Sequence, residues 1–288
     1  MERGEKMVIY VSDLDGTLLD DGGWLSPYTA QHLAALIEAG LPFTIATARS
    51  WTSAEPRVRA LGLRLPVVLY NGALLLDPKS GKRLTAHTLP GDRARGAWER
   101  MTRAGVYPFV NAWAQGREQV RYLQGRESPG VRRYLESRRG DPRQQPVADA
   151  EALLADEVFY FTAIDSRERL ERVAEELARD PALAVNLQED TYTPGEYWLE
   201  VMDARATKAG GLDALREWLG PGWELAVFGD NLNDLPMFRR ADAGYAVANA
   251  HPRLKAAARQ VIGPGNRDGV VRWLEERWRN EGTGTPGK

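Results

Sequence analysis

The sequence predicts an α/β protein: a parallel-sheet core interrupted by an inserted α+β domain. Three observations carry that expectation. Apolar, strand-length runs alternate with amphipathic helices near both ends of the chain, the rhythm of a parallel sheet with right-handed crossovers. The middle of the chain turns instead to strands that alternate apolar and polar residues, as half-exposed antiparallel strands do. Several of the terminal runs end abruptly in acids or small polar residues. In a parallel sheet those endings share the carboxyl edge, where ligands bind.

The opening strand is read in Val8–Val11, whose Val-Ile-Tyr-Val suits burial on both faces of a parallel sheet. It breaks at once into Asp13, Asp15, Gly16 and Thr17. Two acids at the end of a buried strand repel each other and resist desolvation, so a cation or a reaction is expected to use them. Ser26 can cap the first helix, Pro27 suits its first turn, and Leu33, Leu36 and Ile37 form its apolar stripe. A second strand over 41–47 finishes in Ala46-Thr47-Ala48-Arg49-Ser50; a short helix covers 53–61; a third strand over 66–70 ends in Asn71-Gly72. Asp13, Asp15, Thr47, Arg49 and Asn71 then fall on one edge.

From Leu74 the texture changes, and 74–76 with 83–87 read as a hairpin leading away from the sheet. Strands are expected at 107–113, 119–124, 158–164, 182–188 and 197–202, and helices at 92–104 and 167–179. Residues 82–200 thus read as the inserted domain, and 1–81 with 201–288 as the core. The arginine-rich 121–143 reads as a solvated connection carrying a short helix; the sharper alternative is a basic rim that draws in an anionic substrate. Core texture returns at Thr207, which can cap a helix running to Leu219. Leu225–Phe228 is a buried strand ending in Gly229-Asp230-Asn231-Leu232-Asn233-Asp234. Strands at 244–247 and 260–262 and a closing helix capped by Asp268 complete the core, and the Gly/Thr/Pro-rich tail is expected to be disordered.

Composition narrows the function. The 288 residues are 43% apolar and 27% charged, an ordinary soluble profile. A net charge of −2 argues against a nucleic-acid binder. The absence of cysteine excludes disulfides and thiolate metal sites, and the three histidines are far apart in sequence, which argues against zinc. Met1–Lys6 is charged and precedes too few apolar residues for a signal-peptide core, and no run suffices to cross a bilayer. A cytoplasmic enzyme is expected.

If the two acid-bearing strands share a sheet, Asp13, Asp15, Asp230 and Asp234 converge and call for a divalent cation. All-oxygen ligands select magnesium over zinc or copper. Lys208 stands in the first turn of a helix, facing the positive end of the macrodipole at a cost of up to about 1 kcal/mol. A fixed cation beside carboxylates suits a transferring phosphoryl group; a lysine swinging into solvent is the plain alternative. Thr47 and nearby N–H groups at a strand end can bind phosphate oxygens.

The ordered set Asp13-x-Asp15-Gly16-Thr17, Thr47, Lys208 and Gly229-Asp230-x-x-x-Asp234 resembles the four motifs of the haloacid dehalogenase superfamily. Asn71-Gly72-Ala73, Asn233-Asp234, Ala248-Asn249-Ala250 and Asp268-Gly269-Val270 are similar to its Cof-type (class IIB) branch, whose large α+β cap is inserted between the second and third motifs. The second motif departs from that pattern, with Ala48 where Thr-Gly-Arg is common. The resemblance implies a Rossmann-like core with an inserted cap, and an aspartyl-phosphate mechanism. Asp13 would be the nucleophile and Asp15 the acid and base, with Thr47 and Lys208 on the phosphoryl oxygens. Magnesium would be held by the Asp13 side chain, the Asp15 carbonyl and Asp230. Asp234 is implied beside it, either on the metal or orienting Lys208. Gly16, Thr17, Ala48, Arg49, Asn71, Gly72 and Asn233 complete the implied phosphate and substrate site.

The function so implied is a magnesium-dependent phosphatase of a small phosphorylated metabolite, a sugar phosphate first. The alternatives are a phosphomutase and a non-catalytic sensor of a phosphorylated ligand, the latter opposed by the intact nucleophile and acid. Selectivity is expected from the cap and from the neighbourhood of Trp24 and Trp51.

Overall fold

The computed structural model describes residues 7–190 and 193–281. The charged N-terminus and the Gly/Thr/Pro-rich tail lie outside the described residues. In chain order the elements are β1 (Met7–Ser12), α1 (Pro27–Glu38), β2 (Phe43–Ile45), α2 (Trp51–Val58), β3 (Val67–Leu69), β4 (Leu74–Leu76), β5 (Arg83–Ala86), α3 (Gly91–Arg103), β6 (Phe109–Ala114), β7 (Arg117–Leu123), α4 (Pro129–Ser137), β8 (Gln144–Val147), α5 (Ala150–Leu153), β9 (Glu157–Asp165), α6 (Arg167–Leu177), β10 (Leu183–Glu189) and β11 (Tyr197–Asp203). They continue with α7 (Lys208–Leu219), β12 (Trp223–Gly229), α8 (Leu235–Arg240), β13 (Ala243–Ala246), α9 (Pro252–Ala257), β14 (Gln260–Val261) and α10 (Gly269–Glu281). Among the described residues no helix is long and apolar enough to cross a membrane.

The chain divides into two compact units, 1–85 with 207–288 and 86–206. These boundaries lie slightly beyond 81/82 and 200/201. The shift has a physical reason at each side: β5 joins β3 and β4 in one small sheet, and β11 stays paired with β10 as far as Asp203.

In the first unit a parallel sheet runs β14-β13-β12-β1-β2, and β3 extends it through a bridge between Ala46 and Val68. β1 lies between β12 and β2, with Ile9, Val11 and Ile45 fully buried, which is why its sequence is continuously apolar. Leu74–Leu76 pairs with 83–86 as the expected hairpin does, but it does not lead away from the sheet. It folds back antiparallel on β3, Leu69 opposite Leu74 and Val67 opposite Leu76, so the apolar run is part of a three-stranded sheet. Tyr70 and Asn71, both at φ 51°, lie in the turn that makes that reversal.

The second unit is a six-stranded sheet in the order β10-β11-β9-β6-β7-β8, antiparallel except between β7 and β8. Residues of α3 and α6, including Trp98, Met101, Leu170 and Leu177, pack on Val110, Phe161, Leu199 and Val201 of the sheet. Val131 of α4 joins a separate cluster with Phe109, Val120 and Ile164. The expected solvated connection over 121–143 is only partly so. Arg121 is buried and Arg143 half-buried in ion pairs, Arg121 with Asp156 and Arg143 with both Glu118 and Asp141.

Candidate active site

The site is built at the carboxyl edge of the parallel sheet. β1 delivers Asp13 beside the end of β12, where the Asp13 N–H donates to the Phe228 carbonyl (3.0 Å). The next turn is closed by N–H groups of Thr17, Leu18 and Leu19 on the Leu14 carbonyl. Gly16 sits at φ +76°, and a Cβ there would lie 2.4 Å from Asp230 Oδ2, so no other residue fits without displacing an acid. Buried Thr17 donates its hydroxyl to Asp230 Oδ1 (3.1 Å).

β12 ends in the second pair of acids. Asp234 is fully buried, and both of its oxygens are engaged. Oδ2 accepts from the N–H groups of Asp230 (2.9 Å) and Asn231 (3.1 Å), and Oδ1 accepts from Lys208 Nζ (2.6 Å). Lys208 follows the capping Thr207, whose side chain accepts from the Gly210 N–H. It does not swing into solvent: it is 1% exposed and bridges Asp234 to Asp13 Oδ1, 2.7 Å away. Carboxylate oxygens of Asp13, Asp230 and Asp234 lie within 4.8 Å of one another.

Three carboxylates therefore face one ammonium. Burial, and the charges of Asp234 and Asp230, push the Asp13 carboxyl well above its usual range despite the opposing pull of Lys208. Burial and the charge of Asp234 push Asp230 up to about 6. Burial opposes the charge on Lys208, but Asp13 and Asp234 outweigh it and raise its pKa, so the ammonium stays charged.

The other expected residues flank this cluster. Asp15 is held by Arg49 in a two-pronged ion pair, Nε to Oδ2 at 2.7 Å and Nη2 to Oδ1 at 2.5 Å, and Arg49 also reaches Ser53 Oγ (3.0 Å). Buried Thr47 accepts the Arg49 N–H on its hydroxyl (3.1 Å), and its carbonyl accepts the Asn71 N–H (3.0 Å). Ala48 keeps a negative φ, so the missing glycine costs the turn nothing here. Asn71 is buried, and Gly72 packs so closely on the start of α7 that a Cβ would lie 2.0 Å from the Thr207 carbonyl. Asn233 is half-buried, with its carboxamide oxygen sequestered and without a hydrogen-bond partner among the described residues. Trp24 is 51% exposed under the Arg57 guanidinium, 5.0 Å from its ring centroid.

The sequence that builds this site matches a known family pattern over residues 10–274. The chain belongs to the haloacid dehalogenase-like hydrolases. Among curated relatives of this hydrolase, the pyridoxal phosphate phosphatase YbhA of Escherichia coli K12 is 26% identical, over 91% of this chain and 95% of that protein. The 5-amino-6-(5-phospho-D-ribitylamino)uracil phosphatase YitU of Bacillus subtilis is 24% identical, over 94% and 97%. A haloacid dehalogenase-like hydrolase from Bacteroides thetaiotaomicron shares the fold with a TM-score of 0.77 at 21% identity, over 94% of this chain and 100% of that one.

Proposed function

We propose that this hydrolase is a magnesium-dependent phosphatase that removes phosphate from a small phosphorylated metabolite through an aspartyl-phosphate intermediate. The observation that carries the reading is Lys208, buried between Asp13 and Asp234 beside an excess of negative charge. The relatives named as phosphatases of pyridoxal phosphate and of a phosphorylated ribitylamino compound support the substrate class. Sugar phosphates are the first to test.

The donor set fits magnesium: hard carboxylate oxygens, no histidine or cysteine in the cluster, and a net negative charge that a cation relieves. Asp13, Asp230 and the Asp15 carbonyl would hold the ion, and it would draw charge from the phosphoryl oxygens. Asp13 attacks phosphorus and takes the phosphoryl group as an acyl phosphate while the ester oxygen leaves. Asp15, on release from the Arg49 guanidinium that takes up both of its oxygens in this structure, gives that oxygen a proton, then takes one from the water that hydrolyses the acyl phosphate. Lys208 and the Thr47 hydroxyl bind the transferring oxygens, with Asn233, Asn71 and the backbone of Gly16, Thr17, Ala48 and Gly72 around them. Asp234, whose oxygens are taken up by Lys208 and two backbone N–H groups, orients Lys208 rather than binding the ion. Selectivity we assign to the inserted unit.

The test is a screen of phosphorylated metabolites scored for inorganic phosphate, with magnesium, with calcium and after chelation. Phosphate release that requires magnesium and is poorly restored by calcium is expected. Conversion of a sugar phosphate to its isomer without phosphate release would identify a mutase instead.

A further inference from the structure

The turn between β13 and α9, Val247–His251, touches both acid-bearing loops. The Val247 N–H donates to the Gly229 carbonyl (3.2 Å), and the His251 N–H donates to the Asp230 carbonyl (2.7 Å). Between them, Asn249 donates from Nδ2 to the Gly16 carbonyl (2.7 Å) while its Oδ1 accepts from the Gly265 N–H (2.9 Å). Only one orientation of the carboxamide satisfies both bonds, because the flipped amide would set N–H against N–H and oxygen against oxygen. The packing beneath is close. A Cβ on Gly265 would lie 2.5 Å from the Gly16 oxygen and 2.7 Å from that of Thr17, and one on Gly16 would strike Asp230. Asn249 itself is exposed, so its side chain fills no core.

We propose that Asn249 is a positioning residue: by tying the Gly16 carbonyl to a turn already bonded to Asp230, it sets the spacing between the two acid-bearing loops and hence the affinity for a divalent cation. The proposal rests on the magnesium reading above. Carboxylates of Asp13, Asp230 and Asp234 repel one another at this distance, and a tie is what keeps the loops together before a cation arrives. Magnesium tolerates little deviation from octahedral geometry, so a small drift of the Gly16 loop costs affinity while leaving the fold intact.

The experiment measures binding of magnesium alone to the full chain by titration calorimetry, without substrate, alongside the magnesium concentration that half-activates turnover. Asn249→Ala should weaken binding by about tenfold, the low end of what outer supports of a metal site contribute. The activation constant should rise in parallel, with KM for substrate moving less. Asn249→Asp is the second variant. It keeps the acceptor for Gly265, loses the donor to Gly16, and adds negative charge near the site. Simple attraction would tighten cation binding, whereas a lost tie loosens it, so weaker binding supports the positioning role. Equal or tighter binding in both variants overturns it, provided the unaltered chain binds magnesium. A native chain that binds no magnesium overturns the metal reading first and the proposal with it.

Discussion

Two clusters of charge, a half-buried one in the inserted unit and a buried one in the core, look alike in composition and differ in balance. In the inserted unit, Arg143 meets Glu118 at 2.8 Å and grips Asp141 with Nε and Nη2. Burial opposes the charge on Asp141, yet the hydrogen bonds and charge of Arg143 hold its carboxyl below the usual range. In the core, Lys208 meets Asp13 and Asp234 at similar distances, yet Asp13 and Asp230 are pushed up, not down. A guanidinium offers two forked edges and serves two acids at once, and its cluster is complete as folded. The ammonium of Lys208 is outnumbered, and the surplus charge is an attraction for a cation that the chain does not supply. The first arrangement serves stability; the second gives up stability, as the proposed site requires.

The largest expected effects come from Asp13 in the core cluster and from Asp15, which flanks it. Asp13→Asn should lower turnover by roughly 10⁴-fold or more, as loss of a nucleophile does, and should abolish any phosphoenzyme. Asp15→Asn should cost about 10²–10⁴-fold on an unactivated ester. With an activated aryl phosphate, whose leaving group needs no proton, that variant should accumulate phosphate on Asp13. Rapid quenching and peptide mapping read this directly, and label on any other residue refutes the assignment.

A smaller effect sharpens the contrast between the clusters. Lys208→Met strands buried carboxylates and should lose about 3–5 kcal/mol of stability in chemical denaturation, whereas Arg143→Met strands half-buried ones and should lose less. Magnesium should restore part of the loss in Lys208→Met, because the stranded acids there can share the ion. It should restore none in Arg143→Met. Equal rescue of both, or of neither, would erase the distinction drawn between them.

Local signals made the core elements legible. An apolar run broken by two acids located β1 and its end, and a lysine against the helix dipole singled out Lys208. Pairings between distant residues left no such trace. Arg49 and Asp15 lie 34 positions apart, and Asn249 and Gly16 lie 233 apart. Nothing in Ala248-Asn249-Ala250 says that its carboxamide bridges two loops, since neither partner is local. β8 escaped because Gln144-Gln145-Pro146-Val147 shows no apolar alternation and contains a proline. The ion pairing of Arg121 and Arg143 was hidden for a related reason: among so many solvated arginines, only their partners distinguish them.

The smallest expected effect is a pH dependence that only the core cluster should show. Asp230 is pushed from 3.8 to about 6 in the folded chain. A raised carboxyl means that the folded state holds its proton more tightly than the unfolded one. Without a cation, stability therefore falls as pH climbs from about 4 through 6, and the penalty is complete above 6. Asp13, also raised, acts in the same direction. Asp141 behaves oppositely: its carboxyl is lowered, so its contribution is lost only as pH falls below the usual carboxylate range, and it stays constant between pH 5 and 7.5. Magnesium binding at pH 7.5 meets an ionised Asp230, whereas at pH 5 it must displace a proton. The rise in melting temperature on adding magnesium should accordingly be larger at pH 7.5 than at pH 5. Thermal scans at the two pH values, with and without magnesium, give the comparison within one protein. A rise of the same size at both would mean that proton and cation do not compete for Asp230, and the core cluster would then be as self-sufficient as its counterpart around Arg143.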